Sequence, residues 1–294
     1  MDYRLLRRKV TYPNVKIARS HAAVDVECNL VSNILCEDYG PVRLITINRP
    51  DQMNSLDFEA NAELVQVWRA FAADERARVA VITGAGEKAF CAGADLKTYT
   101  MNFAKRRGYE FRVQFTDGPG FGGITRGLEV SKPTIAAVNG FAISGGLELA
   151  LACDLRFCSS NAEFALQDVR WGFHACDGGL VRLPQIVGLG NAMEIVLSGE
   201  RITAQHALRI GLVNRIHAKG DLLEKTLRYA DMLASRAPLA QRFAKDVMKR
   251  AIGLPMDEAL RLESRSFHDL GQTSDLAEGT ASFREKRSPL FSGH

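Results

Sequence analysis

Two glycine-containing segments hold the residue types that could do chemistry in this chain: residues 91–96, Cys-Ala-Gly-Ala-Asp-Leu, and residues 139–148, Asn-Gly-Phe-Ala-Ile-Ser-Gly-Gly-Leu-Glu. Each follows a predicted buried strand, and glycine permits backbone conformations that direct N–H groups into a cavity. The second segment also enters a helix, whose first N–H groups lack internal partners and favour negative charge. Together the segments could supply two convergent N–H donors, as an oxyanion hole requires. The alternative for either cluster alone is a tight turn.

The apolar pattern predicts the elements that would position these segments. Strands are predicted at residues 42–48, 79–83, 133–139, 155–158 and 163–166. Helical spacing predicts a helix over residues 58–71 with Ser55 as its cap, further helices near residues 99–115 and 145–152, and a helical section beyond Gly179. This repetition of strand, helix and strand, followed by helices, predicts one globular α/β domain with parallel strands and right-handed crossovers.

The composition excludes several classes of protein. The 294 residues are 46% hydrophobic and 24% charged, which argues against disorder, collagen-like repeats and small disulfide scaffolds. No run has the length and apolarity of a transmembrane helix. The net charge is 38 − 34 = +4, which is weak evidence for nucleic-acid binding but would help to attract a polyanionic small molecule.

Residues 1–33 are predicted to form a basic extension, either a mobile arm or a contact within an oligomer. Its cations outnumber its acids and are Arg4, Arg7, Arg8, Lys9, Lys16 and Arg19. An organelle transit segment is disfavoured, though not excluded, because Asp2, Asp25 and Glu27 interrupt it. The six cysteines form no CxxC pair, and no export signal is found. The expected compartment is therefore the cytoplasm, with reduced thiols.

Other candidate sites are weaker. Residues 142–146, Ala-Ile-Ser-Gly-Gly, depart from the GxSxG elbow of serine hydrolases, so Ser144 is not predicted to be a nucleophile. His174 and Cys176 lack the remaining ligands of a zinc site, and we expect no metal. Residues 188–190, Gly-Leu-Gly, lack the strand and acidic partner of a dinucleotide-binding fingerprint, so no dinucleotide site is predicted there.

From about Ile34 to the C-terminus, the chain resembles the enoyl-CoA hydratase/isomerase family, also called the crotonase superfamily. Several motifs of the family occur in order: Ile-Asn-Arg-Pro at 47–50 with Asn-Ser-Leu at 54–56, Ala-Phe-Cys-Ala-Gly-Ala-Asp-Leu-Lys at 89–97, Lys-Pro-Thr-Ile-Ala-Ala-Val-Asn-Gly at 132–140, Gly-Gly-Leu-Glu-Leu at 145–149, Cys-Asp at 153–154, Gly-Gly at 178–179, Arg-Leu at 182–183 and Glu-Lys-Arg at 285–287. The second half is particularly similar to crotonobetainyl-CoA hydratase-like members, around Gly118-Pro-Gly and over residues 275–287.

The resemblance implies a crotonase domain over residues 34–294. Within it, residues 34–200 would form a repeated ββα spiral and residues 201–294 a helical trimerisation section. The resemblance also implies a homotrimer, or a dimer of trimers, and an acyl-CoA thioester as the substrate. CoA would be the handle of that substrate and not a cofactor.

The resemblance further assigns roles to individual residues. The N–H groups of Ala94 and Gly145 are expected to bind the thioester oxygen. Glu148 and Asp168 fall on the two catalytic carboxylates, and Gly172, four residues further on, supports this register. The expected contacts to the substrate and its CoA are Ala92, Asp95, Leu96, Lys97 and Lys286, the last reaching in from a neighbouring subunit.

Asp168 departs from the hydratase pattern, which has glutamate at this position. Aspartate is one methylene shorter, so its carboxylate is retracted by about a bond length and a half. A water between the two carboxylates could be held loosely, or a substrate of a different shape could fill the gap. The alternatives are a turn residue for Asp168 and a surface helix residue for Glu148.

Residues 172–179 are also unusual. Cys176 stands where several branches of the family have aspartate, Asp177 follows it, and His174 can change charge near neutral pH. These three could line the acyl pocket and select a polar or cyclic substrate. In the competing interpretation, the histidine contacts a backbone carbonyl, the thiol is buried and inert, and the aspartate caps the helix that starts at Gly178.

Three functional hypotheses follow. The first is a cofactor-free acyl-CoA lyase or isomerase that adds water in the syn sense to a 2-enoyl-CoA through an enolate. Two carboxylates can divide the acid and base roles, because burial and mutual repulsion separate their pKa values. The second is C–C or thioester hydrolysis, or double-bond isomerisation, of a 3-oxo or cyclic acyl-CoA at the same site. The third, suggested by the basic arm alone, is an RNA-associated or assembly protein on this scaffold.

Overall fold

A computed structural model describes residues 32–100 and 108–294 of the chain. Two β-sheets form its frame, and helices pack around them. The predicted basic extension, apart from residues 32 and 33, lies outside the described residues. The same holds for residues 101–107 of the helix predicted near residues 99–115.

The five strands that the apolar pattern predicts occur in the predicted order, and the described residues contain five further strands that it did not predict. The strands are β1 (Ile34–Tyr39), β2 (Val42–Ile47), β3 (Val79–Gly84), β4 (Ala89–Cys91), β5 (Thr134–Val138), β6 (Phe141–Ile143), β7 (Leu155–Ser159), β8 (Glu163–Ala165), β9 (Ile202–Thr203) and β10 (Arg215–His217). The longer helices are α1 (Phe58–Ala73), α2 (Gly145–Ala152), α3 (Gly179–Val187), α4 (Leu189–Ser198), α5 (Ala204–Arg209), α6 (Leu222–Ala234), α7 (Pro238–Arg250), α8 (Met256–Leu270) and α9 (Ser274–Glu285).

The larger sheet is covered on both faces, which explains the continuous apolar runs of its strands. Its strand order is β1-β2-β3-β5-β7-β10, with β1 and β2 antiparallel and the other neighbouring pairs parallel. Ile45 and Ile82 belong to the core that contains Trp68 of α1. The adjacent Leu44 and Val81 belong to a second core that contains Leu227 of α6. Alternate residues of each strand thus face opposite helices.

The smaller sheet positions the candidate site. Its strand order is β4-β6-β8-β9, and the pairs β4–β6 and β6–β8 are parallel. The ends of these three parallel strands therefore lie at one edge of the sheet. The predicted α/β architecture with parallel strands and a helical C-terminal section is confirmed.

The structure corrects two local predictions. Asp57 caps α1, because its carboxylate accepts the Ala60 N–H at 2.9 Å, so the prediction of Ser55 as the cap was wrong. Leu56 instead forms a β-bridge with Ala94, which holds the chain extended just before the helix. The predicted helix near residues 99–115 is represented in the described residues by short helical turns: Leu96–Thr100, Gly108–Phe111 and Arg112–Thr116.

The C-terminal section, predicted to be helical, also contains the two short strands β9 and β10. They extend one sheet each, β9 beside β8 and β10 beside β7. None of the helices in residues 32–100 and 108–294 is long and apolar enough to cross a membrane.

Candidate active site

Three parallel strands bring separate segments of the chain to one cavity. β4 leads into residues 92–96, β6 leads into residues 144–145, and β8 leads into a short helical turn, Gln167–Trp171. Residues at the carboxyl ends of neighbouring parallel strands lie close together, which is where α/β proteins commonly bind ligands. A cavity of about 950 Å³ lies at this edge, and the residues predicted as the oxyanion hole and the two catalytic carboxylates all line it: Ala94, Gly145, Glu148 and Asp168.

The amides of Ala94 and Gly145 lie on segments that pack directly against each other. Gly93 has φ +93°, and a Cβ built on it would lie 3.0 Å from the Ile143 carbonyl oxygen and 3.2 Å from the Gly145 nitrogen. Within the described residues, neither the Ala94 nor the Gly145 amide donates a backbone hydrogen bond. Gly145 also begins α2, where the helix favours negative charge. Two neighbouring N–H donors are therefore available to an anionic oxygen.

Glu148 is buried in the first turn of α2, with 3% of its surface exposed. Its Oε1 atom accepts the N–H groups of Asp177 at 2.7 Å and Gly179 at 2.8 Å. Burial and, to a smaller extent, the nearby Asp177 charge raise the pKa of Glu148 to about 7. Glu148 is thus a fixed carboxyl that can both take and give a proton near neutral pH.

Asp168 is the second buried carboxyl that lines the cavity. Burial raises its pKa, while hydrogen bonding from the Ser144 side chain opposes that rise. Its Oδ2 atom is buried and has no hydrogen-bond partner among the described residues. A buried carboxylate oxygen without a partner is costly in a folded protein, and such groups are characteristic of sites that bind a ligand or water.

Asp177 also lines the cavity, but its carboxylate is occupied by protein donors. Oδ1 accepts the Phe121 N–H at 3.0 Å and the Thr125 hydroxyl at 3.2 Å, and it pairs with Arg126 Nε at 3.3 Å. Asp177 therefore holds the segment that contains Phe121 against the cavity. The prediction that it caps the following helix was wrong, because Gly178 precedes α3 and no side chain caps that helix.

His174 and Cys176 line the same cavity on either side of Ala175. His174 is exposed, and its Nδ1 atom lies 2.9 Å from the Ala175 carbonyl oxygen, so the predicted backbone contact is present. Burial raises the pKa of the Cys176 thiol to about 12. Across residues 32–100 and 108–294, no three His, Cys, Asp or Glu side chains are grouped so that they could hold a metal ion.

The residues predicted to contact the substrate and its CoA fall into two groups. Ala92 and Leu96 line the cavity. Asp95 and Lys97 do not line it; the Asp95 carboxylate accepts the Lys97 N–H at 2.9 Å, and Lys97 is exposed. Lys286 is exposed at the end of α9 and does not line the cavity of its own chain.

The sequence did not predict the aromatic lining of the cavity, which consists of Phe111, Phe121, Phe141, Trp171 and Phe173. These rings come from separate segments, so no period in the sequence groups them. A partial signal was available, since Trp171 and Phe173 flank the Gly172 that supports the register of Asp168. Ser144 is a further cavity residue, and its effect on the pKa of Asp168 was not predicted.

Comparison with known proteins places this geometry in context. The sequence profile of a family described as enoyl-CoA hydratase/isomerase matches residues 37–294. An (E)-benzylidenesuccinyl-CoA hydratase from Thauera aromatica is 38% identical over 252 residues, which cover 86% of this chain and 96% of that protein. A carnitinyl-CoA dehydratase from Escherichia coli is 38% identical over 258 residues, with the same two coverages, 86% and 96%. The crystal structure of an enoyl-CoA hydratase from Bacillus anthracis superimposes with a TM-score of 0.81 at 34% identity, covering 89% of this chain and 100% of that one.

Proposed function

This chain belongs to the enoyl-CoA hydratase/isomerase family, and from that premise we propose how its cavity carries out the reaction. The chain is an enzyme, a lyase that hydrates or dehydrates enoyl-CoA thioesters. Hydrolysis and isomerisation are not favoured, because the similar proteins are hydratases and dehydratases. The basic arm that suggested RNA binding lies outside the described residues.

In the proposed reaction, the thioester oxygen accepts the N–H groups of Ala94 and Gly145. When water oxygen bonds to C3, electron density moves through C2 and C1 onto the thioester oxygen, which becomes enolate-like. Two fixed donors stabilise this charge without reorganising, and one such donor is typically worth about 3 kcal/mol. The meeting of free N–H groups and two buried carboxyls at one sheet edge is the observation that supports this proposal best.

Glu148 and Asp168 would transfer the two protons. One carboxylate removes a proton from the attacking water as the C3–O bond forms, and the other carboxyl donates a proton to C2. The C2=C3 double bond becomes single, and dehydration is the reverse. Burial raises the pKa of both groups, which suits proton exchange near neutral pH. Because both carboxyls line one cavity, we expect the proton and the hydroxyl to enter from the same side.

The experiment is to measure hydration of crotonyl-CoA and crotonobetainyl-CoA by Glu148→Gln and Asp168→Asn. Both substitutions keep the shape of the side chain, and each should lower kcat at least a hundredfold, the usual contribution of a positioned acid or base. The matched control is Glu87→Gln, which removes an exposed carboxylate paired with Lys219 and should leave kcat unchanged. Undiminished turnover in both site variants would show that the carboxylate assignment is wrong.

We further propose that the acyl group carries a substituent bulkier than the methyl group of crotonyl-CoA. The cavity is about 950 Å³ and its aromatic lining includes Phe121, Trp171 and Phe173. Such rings pack against aryl groups and attract quaternary ammonium groups. The relatives named above act on benzylidenesuccinyl-CoA and carnitinyl-CoA, which carry groups of these two kinds. We expect kcat/KM for cinnamoyl-CoA or crotonobetainyl-CoA to exceed that for crotonyl-CoA, and a clear preference for crotonyl-CoA would contradict this.

We also propose a homotrimer, or a dimer of trimers, in which Lys286 reaches the site of a neighbouring copy. The C-terminal section presents large exposed apolar side chains, which in a lone chain would face water: Met248, Phe267, Phe283 and Leu290. Exposed apolar surface of this kind commonly marks an interface. Light scattering after gel filtration should give a mass that is a multiple of three chains. A monomeric protein would contradict the proposal.

We propose finally that no cofactor takes part, and that the enzyme works in a reducing, cytosol-like compartment. The N–H groups and carboxyls of the chain itself supply the oxyanion stabilisation and the proton transfers that hydration needs. Dialysis against a metal chelator should leave kcat unchanged, and a loss that added metal restores would contradict this.

A further inference from the structure

Ser144 is a non-glycine residue in a backbone conformation that favours glycine. It lies between β6 and α2 with φ +49° and ψ −120°, directly before Gly145. Such conformations cost free energy and persist where surrounding contacts impose them, often at active sites. The Ser144 side chain does not cap α2. Capping of α2 therefore does not explain why this position has serine and not glycine.

The contacts of Ser144 lead to Asp168. The Ser144 N–H donates to the Ala165 carbonyl oxygen at 2.8 Å, which ties the turn to the end of β8, three residues before Asp168. Ser144 and Asp168 line the same cavity, and the Ser144 side chain lowers the pKa of Asp168, against the effect of burial. Asp168 Oδ2 remains buried without a partner among the described residues.

We propose that Ser144 is a positioning residue that adapts the site to an aspartate at position 168, an inference that rests on the proposed role of Asp168. An aspartate carboxyl, which is one methylene shorter, lies nearer the backbone than a glutamate carboxyl would. The serine hydroxyl occupies part of the space beside it and orients it. Oδ2 is then left for the water or the substrate. The strained backbone of Ser144 is retained because this hydroxyl is needed.

The first test compares Ser144→Gly and Ser144→Ala with the wild type. Glycine removes the hydroxyl and relieves the backbone, so a merely structural serine would give a variant with an equal or higher melting temperature and an unchanged kcat. We expect the equal or higher melting temperature together with a kcat that is roughly tenfold to a hundredfold lower, since a hydrogen bond to a charged group is lost. The alanine variant should lose as much kcat. Ser160→Ala, which removes an exposed serine hydroxyl between β7 and β8, should change neither quantity.

The second readout does not depend on turnover. The Asp168 carboxyl is titrated by carbon-13 NMR of aspartate-labelled protein and assigned with Asp168→Asn. Since the Ser144 contact lowers the pKa of Asp168, its midpoint should move to higher pH in Ser144→Gly and stay in place in Ser160→Ala. An unchanged Asp168 midpoint in Ser144→Gly overturns the inference, whether or not the wild type turns over an enoyl-CoA. Absence of wild-type turnover would instead overturn the proposed function.

The third test exchanges the two residues together. Asp168→Glu alone should be poorly active, because the longer side chain meets the serine. Ser144→Gly combined with Asp168→Glu should recover at least tenfold in kcat over Asp168→Glu, since the glycine makes room for the added methylene. Equal activity of the single and double variants would overturn the coupling between these positions.

Discussion

Replacing Glu148 by glutamine should lower kcat at least a hundredfold and yet stabilise the protein at alkaline pH. Burial and the Asp177 charge raise the pKa of Glu148 from 4.5 to about 7. Because the carboxyl keeps its ordinary pKa in the unfolded chain, the folded protein holds this proton more tightly. Stability therefore falls as the pH rises from about 4.5 towards 7. At about 1.4 kcal/mol per pKa unit, ionised Glu148 costs the folded state roughly 3 kcal/mol above that range.

Glutamine carries no charge, and its oxygen can accept the same two N–H groups, those of Asp177 at 2.7 Å and Gly179 at 2.8 Å. The cost worked from the pKa already includes the hydrogen bonds of the ionised carboxylate, so they need no separate allowance. We therefore expect Glu148→Gln to have a free energy of unfolding roughly 3 kcal/mol above that of the wild type at pH 8. The difference in the free energy of unfolding should shrink as the pH falls. It should disappear near pH 4.5, where Glu148 of the folded wild type is protonated and neutral, like the glutamine of the variant.

Urea denaturation at several values between pH 5 and pH 8, followed by tryptophan fluorescence, measures this difference. The protein concentration must be held constant, because any oligomer shifts the apparent stability. Glu87→Gln is the control: Lys219 lowers the pKa of this exposed carboxyl, so its removal should give no gain at alkaline pH. If Glu148→Gln were less stable than the wild type at pH 8, or if the difference were independent of pH, the argument from burial would fail.

Two further substitutions test the electrostatics and the backbone of the site. Gly93→Ala should lower kcat at least tenfold, because the new Cβ would sit at φ +93° and 3.2 Å from the Gly145 nitrogen and displace a donor. Gly40→Ala, at φ +59° with no atom within 4 Å of the added Cβ, is the matched control, and equal kcat values for the two variants would count against the oxyanion role. Asp177→Asn should lower the pKa of Glu148 and move the corresponding limb of the kcat profile to lower pH, since the Asp177 charge raises that pKa. If this limb of the pH profile stayed in place, the Asp177 charge would not be raising the pKa of Glu148.

Long apolar runs and glycine-rich turns are the features that the sequence predicted well. The buried strands at residues 79–83 and 133–139 correspond to β3 and β5, because a strand covered on both faces needs apolar residues throughout. The Ser55 cap was predicted from local preference, and a tertiary contact decided otherwise: the bridge between Leu56 and Ala94 delays the helix. The strands β9 and β10 are too short to give a periodic signal.

The aromatic lining could not be predicted for a different reason. Phe121 reaches the cavity because Asp177, far along the chain, accepts its N–H at 3.0 Å. Phe141 comes from the start of β6, and Trp171 from the turn that follows β8. These positions depend on pairing between distant segments, which no local pattern records. The motifs thus predicted the fold and the class of reaction, whereas the shape of the acyl pocket depends on the folded structure.

Hydrogen bonding, and not residue type, separates the proposed catalytic carboxyls from their neighbour. Glu148, Asp168 and Asp177 are all buried and line one cavity. The Asp177 carboxylate accepts from four protein donors, Phe121, Thr125 and Arg126 at Oδ1 and the Cys176 thiol at Oδ2, so both of its oxygens have partners. The other two carboxyls are held by fewer contacts, and burial raises the pKa of each. A carboxyl can exchange protons with a substrate only where the protein leaves it an unoccupied oxygen, and Asp168 Oδ2 meets that condition.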